Sequence, residues 1–350
     1  MGSVPPVGCC VEVWDGLRKA HYVTNHSSEF GVRQFCACEP RAICESSHSA
    51  LVYFSNVGHR RRARFSPAEV PVFRIVHKRQ LSDAVFEMGV EAPRIAAKTK
   101  AGQFLMVRTD DRGERIPLTF SDWSAEEGWI RFIFMRVGKT THALSHLEIG
   151  DSLADVVGPL GVPTHTEAMG RVAVVGGGVG AAVAYPVARA MAEAGAEVTV
   201  ILGSRNAELL VLEDEIRALP IKELIVMTDD GSAGEKGLVT APLRRMCEAG
   251  ELDHAFAVGP AIMMKFAAAT TREYDVPTTV SLNPIMVDGT GMCGACRVSV
   301  DGETKFGCVD GPDFDGHAVN FEELMSRQRV YSDVEREADA DYSKGCQCHL

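Results

Sequence analysis

Arg171-Val-Ala-Val-Val-Gly-Gly-Gly-Val-Gly-Ala181 reads as a buried strand that runs straight into a glycine loop. An unbroken apolar run closed by glycine suits a strand covered on both faces. The loop Gly176-Gly177-Gly178-Val179-Gly180-Ala181 has the spacing G-x-G-x-x-A, and a helical stretch follows over 181–194. Glycines let the backbone turn tightly and approach a pyrophosphate, and the helix N-terminus offers unpaired N–H groups to its charge. The competing reading is a tight strand-to-helix turn that binds nothing.

Further along, the same alternation repeats. Glu197-Val-Thr-Val-Ile-Leu, Glu223-Leu-Ile-Val-Met-Thr, His254-Ala-Phe-Ala-Val and Thr278-Thr-Val-Ser-Leu read as strands with helices between them. Alternating strand and helix predicts a doubly wound parallel sheet over 167–283, a nucleotide-binding domain. Ligands of such sheets sit beyond the carboxyl ends of the strands. Asp229, Asp230 and Gly231 follow one strand end, and Gly259 and Pro260 follow another. As plain loops they would be ordinary turns. The second strand ends in Gly203-Ser204-Arg205, where a ribose-binding carboxylate is the usual occupant. Arg205 can pair with the 2′-phosphate of NADP(H), or it is a surface arginine. The residues alone do not choose.

Toward the N-terminus, short strands with turn-marked spacing begin at Phe73-Arg-Ile-Val-His-Lys-Arg and continue through 85–90, 103–108, 130–135 and 151–157. They predict an antiparallel barrel over 68–166. Within it, Arg115-Ile116-Pro117-Leu118-Thr119 offers a guanidinium fork, a stiffened turn and a hydroxyl. Gly138, Thr140 and Thr141 open a helix-like run whose amides can hold a pyrophosphate. Either piece alone reads equally as an unbound turn. Residues 1–67 show no persistent period and read as a disordered extension, its run Arg60-Arg-Arg-Ala-Arg64 a solvated tract.

Past Asn283-Pro284 the chain turns rich in glycine and cysteine. Asp288-x4-Cys293-x2-Cys296-x11-Cys308 has the plant-type [2Fe–2S] spacing, with aspartate in the first place. Gly289, Gly291 and Gly294 suit a loop that turns its amides toward sulfur. A zinc site of Cys293, Cys296, Cys308 and His317, a redox pair of Cys293 and Cys296, or simple burial are the alternatives. This module is placed at 284–335 and a polar tail at 336–350, with Cys346 and Cys348 in the tail. Cys247, in a helical stretch, reads as a small packing residue.

The formal charge of −11 argues against nucleic acid and anionic membrane as partners, since both need a basic face. The uncharged stretch 172–188 is broken by glycines and Pro186, so it does not read as a membrane span. Eleven clustered cysteines without a signal-like N-terminus read as metal chemistry in a reducing, cytoplasmic compartment.

The order of these pieces resembles the ferredoxin-reductase family, in which a barrel binds FAD and the next domain binds a nicotinamide nucleotide. Arg115, Pro117, Leu118, Thr119, Gly138, Thr140 and Thr141 match that family's flavin positions. Over 71–330, about three quarters of the chain, the sequence resembles the electron-transfer subunit of dihydroorotate dehydrogenase. It is closer to the small subunit of the NADH-dependent reduced ferredoxin:NADP oxidoreductase, also described as a sulfide dehydrogenase subunit. The first branch normally has cysteine where Asp288 stands; in the second, aspartate is the fourth cluster ligand.

The resemblance implies an oxidoreductase subunit passing electrons between NAD(H), FAD and a [2Fe–2S] cluster, with no side chain needed as a general base. It tips the nucleotide to NAD(H). It also implies a larger partner flavoprotein with further iron–sulfur clusters, similar to a glutamate synthase small chain, and ferredoxin reached through that complex. An NAD-linked dihydroorotate dehydrogenase assembly is the alternative. A zinc-stabilised nucleotide-binding redox sensor is the non-enzymatic one.

Overall fold

The computed structural model describes residues 72–346 except 112 and 168, together with 13–15 and 19–21. The latter two form a short antiparallel ribbon, β1 (Val13–Asp15) and β2 (Lys19–His21). The remainder of the expected N-terminal extension, its basic run included, lies outside the described residues, as does Cys348.

The barrel is built from β3 (Phe73–Gln80), β4 (Val85–Glu91), β5 (Phe104–Arg108), β6 (Ile116–Ser124), β7 (Trp129–Met135), β8 (Ser152–Leu153) and β9 (Asp155–Leu160), with the short helices α1 (Pro93–Ala96) and α2 (Lys139–His146). The sheet order is β8-β3-β4-β7-β6-β5-β9, antiparallel throughout. Its two edge strands are consecutive in sequence, separated by Ala154 alone. One segment therefore supplies both edges, pairing with β3 at one end and β5 at the other, and nearly closes the sheet. The expected strand over 151–157 is thus two strands around a one-residue break. Inside, alternate residues meet: Ile75, Met88, Leu105, Phe120, Phe132 and Phe134 are fully buried, and Phe86 stacks on Phe134 at 5.8 Å. Such aromatic packing supplies apolar area and geometric preference together.

The nucleotide domain runs β10 (Arg171–Gly177), α3 (Ala181–Glu193), β11 (Glu197–Ser204), α4 (Glu213–Arg217), β12 (Glu223–Thr228), β13 (Glu235–Lys236), α5 (Thr240–Glu248), β14 (His254–Val258), α6 (Ala261–Arg272) and β15 (Thr278–Ser281). Its order is β13-β12-β11-β10-β14-β15-β18, so the chain crosses from one side of β10 to the other between β12 and β14. The apolar run of β10 splits by alternation. Val172 and Val174 pack into one layer with Val198, Val200, Val187 and Met191, while Ala173 and Val175 pack into the other with Ile201, Leu243 and Met264. Both faces are covered, which is why the strand reads as an unbroken apolar run. Cys247 is buried in the second layer, and burial pushes its thiol pKa up.

The C-terminal module has a hairpin, β16 (Arg297–Val300) and β17 (Glu303–Phe306), then β18 (Asp313–Asp315) and α7 (Phe321–Gln328). β18 pairs antiparallel with β15, so this module finishes the nucleotide sheet. The segment read as a polar tail is helical as far as Cys346: α8 (Ser332–Cys346) packs on α2. There the His142 ring lies 3.5 Å from the Asp339 carboxylate and 6.4 Å from the ring of Tyr342. Among the described residues no helix is long and apolar enough to cross a membrane.

Candidate functional site

Beyond the carboxyl ends of β10 and β14, where the strand order reverses, lies a cavity of about 630 Å³. The glycine loop forms its floor. A side chain at Gly180 would place its first carbon 2.5 Å from the carbonyl oxygen of Val258, so the loop can lie against β14 only as glycine. Gly178, at φ +57°, instead faces open space. A short helical turn over Gly178–Gly180 lines the cavity and leads into α3, whose first N–H groups have no partner within the helix.

The cavity gathers sequence-expected residues from five separate segments. Pro117, Leu118 and Thr119 come from β6, and Gly177, Gly178 and Gly180 from the loop. Ser204 and Arg205 end β11, Asp229 follows β12, and Gly259 and Pro260 follow β14. Gly176 lies one residue back inside β10. Its substitution would meet Ala184 at 3.0 Å and Leu202 at 3.2 Å, so its role is strand–helix packing. Asp230 and Gly231 also stay outside the lining. The Asp230 carboxylate is tied to Ser232 (N at 2.9 Å, Oγ at 2.6 Å), which lowers its pKa.

The barrel's other candidates are engaged internally. The Arg115 guanidinium donates to Asp155 at 3.1 and 2.6 Å. The Thr141 hydroxyl accepts from the N–H groups of Val137 and Gly138, both at 3.0 Å, and Thr140 donates to Glu114 at 3.4 Å. These bonds cap the start of α2. The space beside Gly138 is open, so its approach to a ligand is unhindered.

The cysteine loop sits against the barrel. Cys296 and Cys308 are buried with their sulfurs 3.2 Å apart, while Cys293 is exposed. Burial, then the neighbouring Cys296 thiol, pushes the Cys308 pKa up to about 12. Backbone N–H groups lower that of Cys293, first that of Ala295 at 3.5 Å and then those of Asp288 and Val287. Gly289, Gly291 and Gly294 all have positive φ, the conformation that turns successive amides inward. The Asp288 carboxylate accepts from the N–H of Thr290 at 2.9 Å and from its hydroxyl, and its pKa is lowered by them.

Among the described residues no three His, Cys, Asp or Glu side chains converge on one point, as a single ion requires. His317 is turned away, its Nε2 3.0 Å from the Thr271 hydroxyl, so the four-ligand zinc reading loses its fourth ligand. A two-iron cluster divides its ligands over two metals and needs no such single point. A carboxylate and two thiols on one amide-rich loop, with Cys308 from beyond the β16–β17 hairpin in contact with Cys296, fit it.

Phe104 and Met286 join the two sites. Both line the cavity, and both pack in the apolar cluster that holds Cys296 and Cys308. β5 carries Phe104 and Met106 directly opposite Thr119 and Pro117 of β6. The cysteine loop thus packs on β5, the strand whose Phe104 also lines the cavity. Neither Phe104 nor Met286 stood out in the sequence. The usable signal was the strand alternation of 104–108, which gives a facing but not the neighbour.

Residues 283–320 match the family described as the iron–sulfur cluster binding domain of dihydroorotate dehydrogenase B, and 174–269 match the oxidoreductase NAD-binding domain. The dihydroorotate dehydrogenase B (NAD(+)) electron transfer subunit homologue of Thermotoga maritima is 48% identical over 262 residues, 75% of this chain and 92% of the relative. The chain belongs to the dihydroorotate dehydrogenase B electron-transfer subunit family. The corresponding subunit of Desulforamulus reducens is 34% identical across 68% of the chain and 93% of its own length. A solved chain of the NADH-dependent reduced ferredoxin-NADP oxidoreductase, from work on flavin-based electron bifurcation, is 45% identical. It superposes with a TM-score of 0.74, covering 79% of this chain and 99% of that one. The ferredoxin reductase of carbazole 1,9a-dioxygenase, 20% identical with a TM-score of 0.51, shares the fold.

This family member is therefore an oxidoreductase-type electron-transfer subunit of a larger complex. Its cofactors are FAD, a nicotinamide nucleotide and an iron–sulfur cluster. The expected fold, a near-closed antiparallel barrel, a parallel nucleotide sheet and a C-terminal cluster module, is the one observed.

Proposed function

We propose that the chain is the NADH-handling subunit of an electron-bifurcating ferredoxin–NADP oxidoreductase, with FAD on β6 and α2 and a [2Fe–2S] cluster on Asp288, Cys293, Cys296 and Cys308. The observation that carries electron transfer between the two sites is the shared wall of Phe104 and Met286. The likeness to the reductase subunit along 99% of its length, and the aspartate in the first ligand place, support the finer assignment.

FAD held there would supply hydride exchange with nicotinamide and single-electron exchange with the cluster. The chain's own residues position and shield. The β6 segment Pro117–Thr119 gives the flavin a wall and a hydroxyl. Gly138 and the first amides of α2 take its pyrophosphate, and Gly177, Gly178 and Gly180 take that of the nucleotide. Phe104, Ile133 and Met135 keep water from the wall they share. The larger partner, similar to a glutamate synthase small chain and carrying further iron–sulfur clusters, passes electrons to ferredoxin. The reducing compartment read from the clustered thiols places this complex in the cytoplasm.

The names of the sequence relatives favour a second reading, a dihydroorotate-oxidising assembly. Isolation of the native complex decides between them. Iron, FAD and NADPH-driven reduction of ferredoxin together with NAD⁺ are expected. Recovery with a dihydroorotate-oxidising subunit would overturn the bifurcating assignment, and zinc without iron would overturn both.

A further inference from the structure

We infer that Asp229, at the end of β12, reads the nucleotide ribose and selects the 2′-hydroxyl over the 2′-phosphate, in place of a carboxylate at the end of β11. This rests on the cavity being the nicotinamide nucleotide site.

Among the described residues, Arg205 and Asp229 are the only charged side chains lining the cavity. They are neighbours by register. β11 and β12 run parallel with Ser204 opposite Thr228, and the ladder continues past both strands. The N–H of Asp229 donates to the Ser204 carbonyl at 3.1 Å, and that of Asp230 to the Arg205 carbonyl at 3.3 Å. Backbone pairing therefore holds the two side chains at one corner, yet among the described residues neither forms a side-chain hydrogen bond or ion pair. Both are exposed.

Other polar groups at this corner are already committed. The Ser204 hydroxyl donates to the Asn206 carbonyl at 2.5 Å, and the Asn206 side chain accepts from the N–H of Leu209 at 3.2 Å. Ser232 accepts from the N–H of Ala207 at 2.8 Å and holds the Asp230 carboxylate. Ser204 thus cannot serve a phosphate without breaking its own turn. Among the described residues that line the cavity, Arg205 and Asp229 hold the charged groups left to meet the ribose.

Charge then decides between them. The two strand-end segments carry the cations Arg205 and Lys236 against the carboxylates Glu208, Asp229, Asp230 and Glu235. The corner is net negative before any ligand arrives. A 2′-phosphate dianion would meet Asp229 beside Arg205, and the carboxylate cancels the attraction of the guanidinium. A ribose 2′-hydroxyl instead donates to Asp229, a charge-assisted hydrogen bond. Arg205 in this arrangement is a counter-charge to Asp229 and not a phosphate clamp.

Calorimetry on the full-length chain, with ADP-ribose and 2′-phospho-ADP-ribose as probes, tests this without turnover. The unsubstituted protein should bind ADP-ribose about tenfold or more tightly than its 2′-phosphorylated form. Asp229→Asn should bring that ratio near one, and Arg205→Ala should leave it in favour of ADP-ribose. Equal or tighter binding of the phosphorylated probe by the unsubstituted protein overturns the inference. So does an unchanged ratio in Asp229→Asn, which leaves the nucleotide site itself standing. Binding of neither probe overturns the site reading as well.

Discussion

The glycine loop over 176–180 and the cysteine loop over 288–296 are both built from tight backbone turns, but they reach their ligands by different means. The glycine loop is complete from packing alone. Gly180 lies against β14 too closely for any side chain, and the apolar layers on both faces of β10 fix where the loop emerges. The cysteine loop is anchored on one side only. Cys296 and Cys308 belong to the core, whereas Cys293 is exposed and Asp288 caps its own turn through Thr290. A phosphate cradle needs only N–H groups, which a packed backbone supplies. A cluster needs thiolates, and a protein core favours thiols, as the raised pKa of Cys308 shows. The cysteine loop therefore depends on its metal for its final charge state.

The largest expected effect follows from that dependence. Cys296→Ala should abolish iron content and visible cluster absorption altogether. Cys293→Ala should do the same, and as an exposed residue it should leave the fold intact by circular dichroism. An intact cluster spectrum in either variant would mean the ligands are placed wrongly.

Gly180→Val probes the other loop. Its added carbons have no room beside Val258, so the loop must shift. We expect about 1–3 kcal/mol of lost stability and nucleotide binding weakened about a hundredfold or more by the displaced N–H groups. Iron and flavin content should stay normal. Unchanged nucleotide affinity would remove the preformed half of the comparison.

Asp313, on β18, is buried with its Oδ2 accepting from Thr164 at 2.5 Å. Burial raises its pKa from 3.8 to about 6, against the opposing hydroxyls of Thr164 and Ser281. The folded chain therefore holds this proton more tightly than the unfolded one. The stability it contributes is full below pH 3.8 and is lost as pH rises through about 6. Asp313→Asn, which mimics the protonated acid, should melt higher than the parent at pH 7.5, by up to about 3 kcal/mol. Near pH 4 the two should coincide. A constant difference at both pH values would show that the carboxyl does not titrate there.

The smallest effect is expected at the first ligand place. Asp288→Cys should retain a [2Fe–2S] absorption and resonance spectrum but shift the reduction potential, since a thiolate is a softer donor than a carboxylate. An unmoved potential would indicate that residue 288 is not a ligand.

Much of this was readable in the residues because it depends on local spacing. The apolar run ending at Gly176 could only be a strand with both faces covered, and the glycine spacing after it a close approach to a helix. The Asp288-to-Cys308 spacing named the cluster type, since ligand geometry is a matter of loop length. Sequence patterning also read the barrel, though not its closure through a break at Ala154, because pairing partners are not local. It read 336–350 as a polar tail, whereas α8 forms there on contacts from α2 that lie about 190 residues away in sequence.

What the sequence determined by itself, then, was the three kinds of module and their order. The tertiary structure decided how those modules share walls. It placed β18 of the cluster module into the nucleotide sheet and set Phe104 and Met286 between cavity and cysteines. It also put Asp229 beside Arg205, a juxtaposition of two strand ends 24 positions apart. The physical reason is the same in each case. Alternation and spacing dictate which way a side chain faces, while only the register between distant strands dictates what it meets.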